Sequence, residues 1–173
     1  MENTQPTTGK YALQYGLLLG GISVVFGLML YFADMHYQQG IPTLVISLVI
    51  MLAVILIALK QFKKANGGYM TFGEALKIGI GLCLIGGIIG MLFNLLLSNV
   101  IDPDMVEKQL EIARAKMVDY GMTPEQIESQ LEMSRKFSGP LIQAAFGLLG
   151  SIFFGFILTL VPALIMKKSK SEY

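Results

Sequence analysis

Four stretches of the chain, residues 11–33, 41–59, 78–97 and 141–166, contain no charged side chain over 23, 19, 20 and 26 positions. Their apolar residues run continuously instead of alternating, which is the pattern of helices and not of barrel strands. A bilayer core of about 30 Å takes roughly 20 residues of helix to cross. A helix also satisfies its own backbone hydrogen bonds in lipid. The pattern predicts an all-α polytopic membrane protein with transmembrane helices over about 11–33, 41–59, 75–100 and 140–166, forming a single integral membrane domain. The first span is read as a retained anchor. It is longer than the about 7–15 apolar residues of a signal peptide, only Lys10 immediately precedes it, and no A-x-A site follows.

Between the third and fourth spans the pattern changes. Residues 102–139 hold 13 of the 25 charged side chains. Val106, Leu110, Ala113, Met117 and Tyr120 recur at helical spacing, so a helix of about 27 Å is expected from Pro103 to Tyr120, with Asp102 as its cap and Gly121 ending it. Thr123 and Gln126 form a capping box for a second helix, on which Ile127 and Leu131 share a face. Asp104 with Lys108, and Glu132 with Lys136, stand at ion-pair spacing. The loop therefore reads as a helical hairpin.

Composition agrees: 54% of residues are hydrophobic and 14% charged, with a mean hydropathy of +0.62, far from a soluble domain with about 25% charge. The net charge of +1 offers no basic patch for nucleic acid. Its distribution is more telling. Lys10, Lys60, Lys63, Lys64, Lys77, Lys167, Lys168 and Lys170 fall on one side of the predicted spans, whereas the hairpin side holds five basic and eight acidic residues. By the positive-inside rule both termini lie in the cytoplasm and the hairpin is extracytoplasmic.

Small residues mark the helix seams. Gly16 and Gly20, Gly86 and Gly90, and the series Gly147, Ser151, Gly155 stand four apart, a spacing that lets helix backbones approach in lipid. Spans one, three and four are expected to pack through these faces within one chain, with a homo-oligomer through the same faces as the alternative; span two, without glycine, is expected to face lipid. Gly67 and Gly68 read as a turn, followed by a capping box of Thr71 and Glu74 that opens span three. Glu74 and Lys77 could pair on that helix. Pro162 is expected to kink or end span four. Gly86, Gly87 and Gly90 are the candidate site for a break in span three.

Reactive groups are sparse. Cys83 is alone in mid-span and reads as a buried structural thiol. His36 stands near Asp34, and zinc sites usually need three or four ligands. The methionines of the hairpin fit a packed seam better than a copper site. No nucleotide, metalloprotease or nucleophile-elbow motif occurs. The expectation is a protein with no catalytic, metal or cofactor-binding residues.

The Tyr15-Gly16 and Gly20 pattern, the segment Gly67-Gly68-Tyr69-Met70-Thr71-Phe72-Gly73-Glu74-Ala75 and the charged segment before span four together resemble a family of small bacterial membrane proteins, domain of unknown function 4199. The resemblance implies a four-helix protein of the bacterial inner membrane and carries no catalytic residues. The expected role is a non-enzymatic accessory or scaffold protein embedded in the lipid bilayer. Its hairpin, through Leu110, Met117 and Leu131, would contact a membrane or extracytoplasmic protein partner or simply pack on itself. A small oligomeric transporter or channel with a polar seam containing Asn94 is the alternative.

Overall fold

The structure, a computed structural model, describes residues 6–37 and 40–168. Lys170, one of the eight basic residues above, lies outside them. Six helices follow in order: α1 (Thr8–Phe32), α2 (Ile41–Ala65), α3 (Phe72–Leu96) with a π-helical end (Leu97–Ile101), α4 (Met105–Asp119), α5 (Pro124–Phe137) and α6 (Pro140–Met166). No strand occurs among the described residues beyond a single bridge between Met70 and Lys168. The four apolar helices, α3 counted with its π-helical end, hold 25, 25, 30 and 27 residues and are long and apolar enough to span a membrane. They run up and down, so that one end of the bundle carries the described chain ends and the other carries the α4–α5 hairpin.

Glycine sets the packing. α3 lies between α1 and α6. A Cβ on Gly16 would sit 2.6 Å from the Cβ of Ile85, and one on Gly155 would sit 2.6 Å from that of Cys83. Gly20 faces Ile89, and Gly86 receives Leu19 from α1. Ser151 of α6 rests against Gly87, and Thr159 against Gly79. Gly90 and Gly147 are different: a Cβ on either would meet nothing within 4 Å. They are not in a seam. Neither Gly86 nor Gly87 breaks α3, which stays helical throughout. Pro162 does not end α6, which runs on to Met166.

α2 behaves as two halves. Its first half is exposed, with Ile41 77% and Val49 59% accessible. Its second half is core: Ile55, Ala58 and Leu59 are fully buried. Leu56 and Ile57 of the same half are 41% and 48% exposed, so α2 keeps an outward face along its length and, as expected, is the least buried of the four spans. The second half meets α1, α3 and α6 where aromatic and aliphatic bulk accumulates, with Tyr11 edge-on to Phe62 at 5.3 Å.

Backbone contacts seal this end. Gly67 and Gly68, at φ +66° and +87°, make a turn that side chains with a Cβ disfavour. Thr71 and Glu74 form the expected capping box, with the Thr71 amide donating to Glu74 Oε2 at 2.7 Å and the Glu74 amide to Thr71 Oγ1 at 3.2 Å. With its carboxylate on Thr71, Glu74 makes no ion pair with Lys77. Met70 and Lys168 exchange amide hydrogen bonds of 3.0 and 2.8 Å, and Lys63 Nζ donates to the Met166 carbonyl at 2.8 Å. The last turn of α6 is thus held by the turn before α3.

The hairpin forms as its pattern predicts, with a shorter first helix. α4 has 15 residues, roughly 22 Å. Ile127 and Leu131 are buried against it, and Leu110 and Met117 are half-buried in the same seam. Tyr120 lies beyond the seam and is 83% exposed. Gly121 takes the left-handed conformation at φ +75°. The Thr123–Gln126 capping box is present. Arg114 with Glu128 (3.4 Å) and Arg135 with Glu107 (3.9 Å) bridge the two helices on their exposed side. Glu132 and Lys136 form no ion pair.

Candidate functional site

Two features stand out at the hairpin end: a polar hub and a cavity. The hub begins where α1 stops. Asp34 adopts φ +53°, a conformation that Asp tolerates better than most side chains. The Met35 amide donates to the Leu30 carbonyl at 2.9 Å and that of Asp34 to Tyr31 at 3.1 Å, the paired bonds of a Schellman turn. The turn folds His36 and Tyr37 back over the bundle. At the end of α3 the helix widens, and the Asp102 amide bonds five residues back to Leu97 at 2.8 Å. That π-turn brings the Asp102 carboxylate under the two rings.

Asp102 consequently does not cap α4. Its Oδ2 contacts His36 Nε2 at 3.1 Å and accepts a hydrogen bond from the Tyr37 hydroxyl. Its Oδ1 accepts from Lys108 Nζ at 3.2 Å, and Lys108 also donates to the Tyr37 oxygen at 2.9 Å. Lys108 is therefore turned to Asp102, where Asp104 was expected as its partner. The rings close over the pair: His36 lies 3.7 Å from Tyr37 and 5.1 Å from Tyr31, centroid to centroid. The side chains of His36 and Asp102 are 4% and 11% exposed.

The charges follow from these bonds. The Tyr37 hydroxyl first, then His36 and Lys108, hold the Asp102 carboxyl down at about 2, against a desolvation that acts in the opposite sense. Donation to the same carboxylate raises the Tyr37 hydroxyl above its ordinary range. The Tyr37 oxygen and Asp102 raise the Lys108 ammonium likewise. The hub is an ionised carboxylate shared by a neutral phenol, a histidine and an ammonium. It joins the α1–α2 turn, the end of α3 and the first turn of α4. His36 Nδ1 is buried without a partner among the described residues. No group of three or more His, Cys, Asp or Glu that could hold a metal occurs among the described residues.

The cavity, of about 440 Å³, lies between the four apolar helices beneath this end and is partly open, with Asn94 and Gly147 exposed. On α3 it extends from Cys83 to Leu95, roughly 18 Å along the axis. All four apolar helices contribute to its wall. It exists because the first half of α2 stands off from α6, and because Gly90 and Gly147 present no side chain to fill the gap. Asn94 lines it and is exposed.

Of the residues singled out from sequence, Gly16, Gly20, Gly86, Ser151 and Gly155 lie in helix seams, and Gly90 and Gly147 in the cavity wall. Gly67, Gly68, Thr71 and Glu74 build the turn into α3. Leu110, Met117 and Leu131 face the interior seam of the hairpin, where α4 and α5 cover them from each other's outside. Apolar surface on the hairpin's exterior comes instead from Val118, Tyr120, Met133 and Phe137. The hub and the cavity were not anticipated. Sequence proximity points from His36 to Asp34, whereas the partner stands 66 positions away.

A family model described as a protein of unknown function (DUF4199) matches residues 14–168. The chain belongs to that family. No curated protein and no solved structure is detectably similar to it.

Proposed function

We propose that this DUF4199 member is a non-enzymatic accessory or scaffold protein of the bacterial cytoplasmic membrane, with both termini in the cytoplasm and its hairpin as an extracytoplasmic contact arm. The observation that carries this reading is the hub. Lys108, in the first turn of α4, is bound to both Tyr37 and Asp102, so the base of the hairpin is fixed to the bundle at two points. A fixed arm presents the same surface to a partner on every encounter, which lowers the entropy cost of docking. The exposed Val118, Tyr120, Met133 and Phe137 supply apolar contact area on that surface. The lysine distribution supports the orientation.

The test is brief crosslinking in native membranes, followed by mild detergent extraction and mass spectrometry. A stoichiometric partner linked through residues 102–139, lost in a Tyr120→Asp, Met133→Asp variant, supports the arm. A homo-oligomer with no other partner sinks it. Orientation is read separately: a cysteine at Ser129 should react with an impermeant maleimide from outside intact spheroplasts, and one at Asn66 should not.

The second reading, a small oligomeric transporter or channel, draws support from the cavity, a largely apolar space with a few polar side chains between the membrane-length helices. The continuous α3 gives it no broken helix of the kind transporters use at mid-depth. Flux of an uncharged solute into liposomes that collapses when the cavity is filled would favour it.

A further inference from the structure

We infer that the cavity between the first half of α2 and helices α1, α3 and α6 is a binding site for an uncharged amphiphile: an aliphatic chain bearing a hydroxyl, ester or amide group that meets Asn94. Its volume of about 440 Å³ falls in the usual range for small-molecule sites, about 300–1,000 Å³. Its wall is predominantly apolar, with Leu19, Phe26, Met51 and Met91 among the contributors. No Asp, Glu, Lys, Arg or His lines it. A charged ligand would lose its hydration there with no counter-charge to replace it.

The polar groups of the wall differ in what they have left to offer. Ser23, Ser47 and Ser151 each donate to the carbonyl four residues back in their own helix, at 2.9, 2.9 and 2.8 Å. Their protons are committed. The Asn94 side-chain amide has no hydrogen-bond partner among the described residues and is exposed to the space. It offers a donor and an acceptor side by side, which an alcohol, ester or amide satisfies. In lipid an unpaired amide is costly, so a ligand that pairs with it is favoured over bare hydrocarbon. The inference is independent of the hairpin's role and of whether the ligand moves across the membrane.

The same chemistry is present in a free neutral lipid and in the glycerol-ester region of a bilayer phospholipid. Native mass spectrometry of the full chain in detergent distinguishes them, with monoolein, oleate or phosphatidylglycerol added at pH 8. The wild type should retain one monoolein, with no competition from oleate. Asn94→Leu should cut its occupancy at least fivefold. Gly90→Leu with Gly147→Leu should abolish it, since both positions line the space and a Cβ at either meets nothing within 4 Å. Gly147→Leu alone serves if the double variant does not fold. Retention of phosphatidylglycerol in preference to monoolein, abolished by the same leucines, assigns the site to a lipid drawn from the bilayer. Monoolein bound equally to the wild type and to the filled variants, or no lipid bound to the wild type, overturns the inference.

Discussion

His36 and Asp102 stand 66 residues apart in the chain and 3.1 Å apart in the fold, buried together at the junction of bundle and hairpin. The contact is made by two backbone devices, the Schellman turn at Asp34 and the π-turn at Leu97–Ile101. Removing the carboxylate strands three donors at once. We therefore expect Asp102→Ala to release the base of α4, speeding amide exchange over Met105–Asp119 while leaving α1 and α3 protected. Unchanged exchange in α4 would show that the hub does not hold the hairpin.

The hub should also give a pH signature. Asp102 titrates lower in the fold, at about 2, than its ordinary 3.8. Its contribution is present above pH 3.8 and is lost as the pH falls through about 2. Tyr37 and Lys108 are shifted upward. Their contributions are complete below pH 10 and are lost as the pH rises through their raised values. Tyrosine near-ultraviolet circular dichroism should change at both the acid and the alkaline limit, and Asp102→Asn should remove the acid transition.

Two kinds of glycine separate cleanly in their predicted response. Gly155→Ala places a methyl 2.6 Å from the Cys83 Cβ and should cost about 1–3 kcal/mol by overpacking. Gly147→Ala meets nothing and should stabilise by about 0.5–1 kcal/mol through helix propensity alone. Unfolding in mixed micelles, scored by denaturant midpoint, orders the two variants.

At the opposite end, Gly68 has space around it but a φ of +87°. Gly68→Ala should destabilise by about 1–2 kcal/mol from backbone conformation only. Asn at the same position should recover part of that loss in the same unfolding measurement.

The four apolar helices, the hairpin and both capping boxes are legible in the sequence because they depend on local composition and short spacings. Thr71 and Glu74 are three residues apart and find each other without help from the fold. Asp102 shows the limit: a helix cap is its best local role, and a tertiary partner outcompetes it. The glycines show another. Gly86 and Gly90 are equivalent in the pattern, yet a Cβ at Gly86 would meet Leu19 of α1 and one at Gly90 would meet nothing within 4 Å. No local spacing encodes which glycine a neighbouring helix reaches.

The division of α2 into a buried second half and an exposed first half makes it a lever. Its fulcrum is the fully buried stretch around Ile55, Ala58 and Leu59. The arm from Ile41 to Ile55 is roughly 21 Å long, so a tilt of about 5° swings its tip by about 2 Å. That tip begins four residues after Tyr37, which the hub grips. The hub and the open side of the cavity therefore lie beside the same end of α2, where a tilt of the exposed half would change the width of the space while the buried half stays in place.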